Sequence, residues 1–126
     1  MTESDPSLHP ARPEQRGRLH IASRAIERIA TRAAEQVDGV LRSGSGLDRL
    51  VGRSYPRVSS TVAGDIVRVT VDVAVLWPHG AGEVARRVRA EVTHEVGQLT
   101  GLSVAGVNVT VARFERRPSH AERRVQ

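Results

Sequence analysis

The sequence predicts an α+β fold: a two-layer sandwich in which two amphipathic helices pack on one face of a mixed, three- or four-stranded sheet. Three observations lead to this prediction. Two segments place apolar residues at spacings of three and four, a long segment between them alternates valine with polar residues, and a last alternating segment follows the second helix. At 126 residues the chain has room for one such domain.

The first helix is predicted to begin after Ser23, because a serine hydroxyl can cap the free N–H groups of a first helical turn. Gly39 is predicted to stop it in a left-handed conformation. The buried stripe of this helix is predicted to consist of Ile26, Ile29, Ala30, Ala33 and Val37. Just before it, residues 18–22 alternate apolar and polar side chains, which favours a brief strand.

A β-hairpin is predicted next. Residues 58–62 read Val-Ser-Ser-Thr-Val, residues 63–65 have the composition of a turn, and residues 66–76 alternate valine with other residues. The side chains predicted to face the core are Val67, Val69, Val71, Val73 and Val75. Those predicted to face the other way are Arg68, Thr70, Asp72 and Ala74.

The second helix is predicted over residues 81–100 and ends at Gly101, with Leu102 packing back against it. Its predicted stripe contains Val84, Ala85, Val88, Val92, Val96 and Leu99. A last strand over residues 103–114 carries Val107, Val109 and Val111 on its core face. A strand, a helix and a strand in this order predict that the two strands run parallel.

The folded domain is expected to span residues 17–115. Residues 1–16 are predicted to form a disordered tail because prolines and polar residues dominate them, and residues 116–126 a disordered basic tail. Residues 42–57 hold three glycines and four arginines against one aspartate, which predicts a mobile basic loop. No apolar run approaches the length that crosses a bilayer, so we expect a cytoplasmic protein.

The composition narrows the possible chemistry. Cysteine is absent, which excludes disulfides, thiolate metal sites and a thiol nucleophile. All 19 basic residues are arginine and the net charge is +5, so a basic RNA-binding module is the alternative function. We favour a protein partner over nucleic acid because only Tyr55, Trp77 and Phe114 are aromatic, too few for a base-stacking surface.

No catalytic, cofactor-binding or metal-binding residue is predicted. His94 and Glu95 begin a metalloprotease-like helix motif, but Gln98 stands where the second histidine ligand should be. Glu83, Arg87 and Glu91 follow at four-residue steps, which predicts a solvated ladder of opposite charges and not an acid–base pair. We therefore expect neither an enzyme nor a small-molecule substrate.

Two surfaces are candidates for contact with a partner. Arg24, Arg28 and Arg32 form a like-charged row on the first helix, which suits a solvated face, an acidic partner or anionic lipid. The sheet face opposite the helices is polar but low in charge, which suits either water or a second copy of the chain. We expect self-association through this face or through a free strand edge. Its candidate residues are Thr70, Asp72, Asn108 and Thr110.

Four stretches in this order resemble the alkaline shock protein and Gls general stress family of envelope stress response proteins. They are residues 17–23, residues 37–40, the start of the second helix from Gly80 to Val84, and above all Thr-Gly-Leu-Ser-Val-Ala-Gly-Val-Asn-Val-Thr-Val at residues 100–111. The similarity spans residues 17–114. This chain differs from typical members of the family in its arginine-rich surface and in the Trp-Pro-His turn at residues 77–79.

The resemblance implies a non-enzymatic cytoplasmic protein that self-associates and supports cell-envelope homeostasis under stress. It also implies that a small membrane-anchor protein holds the chain at the inner membrane face. The family brings no catalytic motif, so no active-site residue and no cofactor is carried over.

Overall fold

A computed structural model describes residues 13–42 and 55–116, with the backbone alone for residues 13–21. The chain forms helix α1 (Pro13–Glu35), strands β1 (Arg57–Ala63) and β2 (Ile66–Trp77), helix α2 (Ala81–Thr100) and strand β3 (Ser103–Arg116). This confirms the predicted α+β class. Most of the predicted basic loop and the outer parts of both predicted tails lie outside the described residues.

Helix α1 begins eleven residues earlier than predicted. It starts at Pro13, within the segment predicted as a tail, and continues through residues 18–22. The short strand predicted there is wrong, and so is the N-cap at Ser23, which lies in the helix interior. Proline suits a first helical turn, and alternation over only five residues does not distinguish a strand from a helix.

The sheet has three strands in the order β1-β2-β3. Strand β1 pairs with β2 in antiparallel orientation through a tight turn at Gly64, whose φ is 62°. Strand β3 runs parallel to β2, as predicted from the intervening helix. Both helices pack on the same face of this sheet.

The core is made mostly of valine between the helices and the sheet. All five valines predicted to face inward on β2 are buried, as are Ile26, Ala30 and Ala33 of α1. Helix α2 contributes Val84, Val88, Val92 and Val96. Leu99, predicted for the same stripe, is 65% exposed. A side chain three residues after Val96 shares its side of the helix, so the exposure of Leu99 in the last turn of α2 depends on what packs there and not on its place in the pattern.

A short segment after α1 pairs with the free part of the β2 edge. Leu41 donates its N–H to the carbonyl of Ala74, and Leu76 donates to the carbonyl of Gly39, at 2.8 and 2.7 Å. Leu41 and Tyr55 then cover Ala74 on the side of the sheet opposite the helices. Ala74 was predicted to be open and is 0% exposed, because this segment folds over it.

Candidate interaction surfaces

The sheet side opposite the helices, here called the open face, is organised in rows by the strand register. The central row runs across all three strands at the level of Thr70. The rows on either side lie at the levels of Arg68 and Asp72. The rows contain, in order from β1 to β3, Thr61, Arg68 and Gly106, then Ser59, Thr70 and Asn108, then Arg57, Asp72 and Thr110.

The structure brings together the four residues predicted for this surface. Thr70, Asn108 and Thr110 are exposed and Asp72 is half-buried. They form one polar patch in the middle of the sheet, with a single carboxylate.

Three charged residues flank the central row of the open face, Arg68 on one side and Asp72 with Arg57 of β1 on the other. Arg68 and Asp72 lie on β2, two residues before and two residues after Thr70. Neither forms an ion pair with another residue in the described ranges 13–42 and 55–116. Gly106, which has no side chain, leaves room for Arg68, whose guanidinium lies 3.6 Å from the position a Cβ would take there.

The outer edge of β3 is irregular. Its register with β2 shifts twice, which leaves Ala105 and Ala112 as extra residues on β3. Arg89 of α2 also donates from Nε to the carbonyl oxygen of Val107, at 3.1 Å. Bulges and charged side chains are devices that protect an edge strand from pairing with another chain. These features make the β3 edge less suited to pairing with another chain than a regular edge would be.

The predicted arginine row lies on the opposite side of the molecule. Arg24, Arg28 and Arg32 are exposed on α1 and form no ion pair with any other described residue. Glu27, three residues after Arg24 on α1, accepts a hydrogen bond from the hydroxyl of Ser60 on β1, at 3.2 Å. Among the residues that the structure describes, the row is therefore a positive stripe without an ion pair.

A groove lies beside this row, between α1 and the C-terminal half of α2. It has a volume of about 240 Å³. Arg28 and Arg32 stand on its α1 side, and Glu95 on its α2 side. Its apolar surface comes from Ala25, Ile29, Ala33 and Leu99. Leu99, which is exposed at the end of the predicted stripe, thus forms part of a second surface.

Sequence reasoning missed one more exposed cluster. Trp77 and Phe114 are half-exposed at the ends of β2 and β3. The guanidinium of Arg116 lies 5.3 Å from the centre of the Trp77 ring. The parallel register places Arg116 next to Trp77 and Phe114 next to Val75. The second bulge of β3 brings Phe114 to the same face as Trp77, and no sequence pattern revealed this bulge.

Helix α2 contains the first ion pair of the predicted charge ladder. Arg87 donates to the carboxylate of Glu83 at 2.8 Å, and both side chains are exposed. Neither described helix combines the length and apolar character needed to cross a bilayer.

The fold and these surfaces define a small α+β domain with a polar sheet face on one side and a charged helical groove on the other. A family model described as the alkaline shock protein twenty-three family, with a cell envelope-related function, matches residues 11–115. The chain belongs to this family. The resemblance inferred from the sequence is thereby confirmed.

Two solved variants of the MamM CTD are similar to the chain in three dimensions. One has a TM-score of 0.48 and 16% sequence identity, over 79% of this chain and 98% of its own. The other has a TM-score of 0.47 and 16% identity, over 78% of this chain and 99% of its own. Similarities at this level carry no functional argument.

Proposed function

We propose that the chain is a non-enzymatic, self-associating scaffold or adaptor of the envelope stress response, held at the inner membrane face by a membrane-anchored partner. The cell envelope-related description of its family supports the general role. The observation that carries the self-association is the charge and polarity pattern of the open face. The assembled species is a dimer formed by packing two open faces against each other.

The charges of the open face fit a two-fold axis in one orientation. Arg68 and Asp72 lie about 13 Å apart along β2, with Thr70 midway between them. An axis between the two sheets, perpendicular to β2 and level with Thr70, places Arg68 of each copy opposite Asp72 of the other. The same two residues thereby form two ion pairs, as expected for an isologous interface. An axis parallel to β2 would instead place like charges opposite each other.

The central row fits the same axis. Residues on a two-fold axis meet their own copies, so they must be able to bond to themselves. Ser59, Thr70 and Asn108 all carry hydroxyl or amide groups, which act as both donors and acceptors. A charged side chain in this row would repel its copy. The row is uncharged, whereas the rows on both sides of it contain charges.

A charge exchange tests the dimer. Sedimentation equilibrium is measured for the wild-type chain, for Arg68→Asp, for Asp72→Arg and for the double exchange. We expect each single variant to weaken dimerisation because it places like charges opposite each other, and the double variant to restore it. Arg86→Asp, an exposed arginine of α2 outside this face, is the matched control and should leave the dimer unchanged. Circular dichroism checks that each variant is folded.

Two results would contradict this interface. One is a wild-type chain that stays monomeric at high micromolar concentration. The other is a dimer that Arg68→Asp leaves intact, which would point instead to the β3 edge or to the exposed Trp77 and Phe114.

The recruitment part of the proposal needs a separate experiment. The chain is recovered from its host in mild detergent with and without prior cross-linking, and the co-purifying proteins are identified. We expect a protein with a membrane-spanning segment. Recovery of RNA, with binding that falls steeply as salt rises, would favour the nucleic-acid alternative instead.

A further inference from the structure

We infer that the groove between α1 and α2 binds an amphipathic helix of a partner protein, with one large apolar side chain in the groove and carboxylates facing α1. This inference extends the proposed adaptor role, since it specifies the chemistry of the partner. It concerns the helix layer, whereas the proposed dimer uses the open face of the sheet.

The shape of the groove favours a side chain as its occupant. Its volume of about 240 Å³ lies below the ~300–1,000 Å³ typical of small-molecule pockets. It has an apolar floor, and Leu99 remains 65% exposed at its side. Pockets of this kind in protein interfaces commonly receive a single anchoring side chain. Along α1 the lining residues cover about three helical turns, which suits a helix lying in the groove.

The charges around the groove specify the polarity of the partner. Arg28 and Arg32 stand on the α1 side without an ion-pair partner among the described residues. Carboxylates of a bound helix would neutralise both and relieve their mutual repulsion across one helical turn. Glu95 stands on the α2 side, so an acidic residue facing α2 would be repelled. The partner helix should therefore be acidic along one flank only.

The concave shape favours a protein over a lipid surface. A bilayer can neutralise exposed arginines such as Arg24, but its flat surface does not fill a groove between two helices. The arginine row and the apolar groove are explained together by a helix that carries both a hydrophobic anchor and carboxylates.

The test uses synthetic peptides and the full chain. The probe is a capped helical peptide of about three turns, with one leucine and with glutamates on one flank. Two matched peptides replace the leucine by alanine or the glutamates by lysine. We expect the first peptide to shift the amide NMR signals of Ile29, Arg32 and Leu99, and the matched peptides to bind at least about tenfold more weakly.

Variants of the chain locate the binding. Arg28→Glu and Leu99→Ala should each weaken binding of the acidic peptide by about tenfold or more. Glu95→Gln should strengthen it, and Arg86→Glu, outside the groove, should change it less than about twofold. Absence of groove shifts at millimolar peptide, or equal binding by the Arg28→Glu chain, would overturn the inference. Binding to vesicles containing phosphatidylglycerol, without binding to any peptide, would also overturn it in favour of lipid.

The two proposals can fail separately. The peptide titration is repeated on the Arg68→Asp variant, in which dimerisation should be weakened. If the variant still binds the peptide, the groove is a binding site whatever the oligomeric state of the chain. If the variant alone loses binding, the groove and the open face do not act independently, which would contradict the inference.

Discussion

Replacing Gly39 by alanine should destabilise the domain more than the same replacement at Gly64. Both glycines have a positive φ, 95° at Gly39 and 62° at Gly64. At a positive φ, replacing glycine by a residue with a Cβ atom lowers the free energy of unfolding by roughly 1–2 kcal/mol at either position. The surroundings differ, because a Cβ at Gly64 would meet no atom within 4 Å. At Gly39 it would lie 2.7 Å from Cγ of His79 and 3.0 Å from Cγ2 of Val84.

The crowding at Gly39 is difficult to relieve. Cβ of His79 would itself lie 2.9 Å away, and that atom moves only with the backbone of the turn before α2. Val84 is buried in the core. Overpacking of this kind typically costs about 1–3 kcal/mol. Gly39→Ala should therefore cost ~2–5 kcal/mol in the free energy of unfolding, against roughly 1–2 kcal/mol for Gly64→Ala.

Urea unfolding followed by circular dichroism measures both values, with the fluorescence of Trp77, the sole tryptophan, as a second probe. Protein concentration is held constant because self-association adds to the apparent stability. A double-mutant cycle with His79→Gly isolates the clash, and we expect a coupling of about 0.5–3 kcal/mol. Equal destabilisation at the two glycines, or an additive cycle, would refute this reasoning about the close approach of His79 and Gly39.

Further substitutions test the core, the covered end of the sheet and the proposed dimer. Ile26→Val should lower the free energy of unfolding by about 0.5–1.5 kcal/mol and Ile26→Ala by about 2–5 kcal/mol, because Ile26 is 0% exposed; thermal unfolding should rank them in that order. Ala74→Leu should lower the free energy of unfolding by about 1–3 kcal/mol, since Leu41 already covers that position. Ala90→Leu, on the exposed surface of α2, should change it by no more than about 0.5 kcal/mol, and equal effects of the two substitutions would show that Leu41 does not cover Ala74. Raising salt from about 0.1 M to about 1 M should weaken the dimer in sedimentation equilibrium because the two ion pairs are screened, and a salt-independent dimer would speak against them.

The sequence alone determined the two layers of the domain. Each helix and strand carries its own periodicity, and that pattern depends only on which neighbours along the chain share a face. The alternation on β2 therefore predicted five buried valines correctly. Gly101 was correctly predicted to end α2, where its φ is 73°, because a left-handed residue at a helix end is a local requirement. The start of α1 was missed because the pattern of residues 18–22 was too short to outweigh the helical continuation.

Only the tertiary structure decided where the surfaces lie. Ala74 is covered because residues 39–41, distant in sequence, pair with the β2 edge. Leu99 of α2 and Arg28 of α1 line the same groove because the two helices meet at an angle and spacing that neither helix specifies by itself. The positions of Arg68, Thr70 and Asn108 in the rows of the open face follow from the pairing of the strands, including the two bulges in β3. Periodicity assigns each side chain to a face, but contacts between elements depend on packing and register, which are properties of the assembled chain.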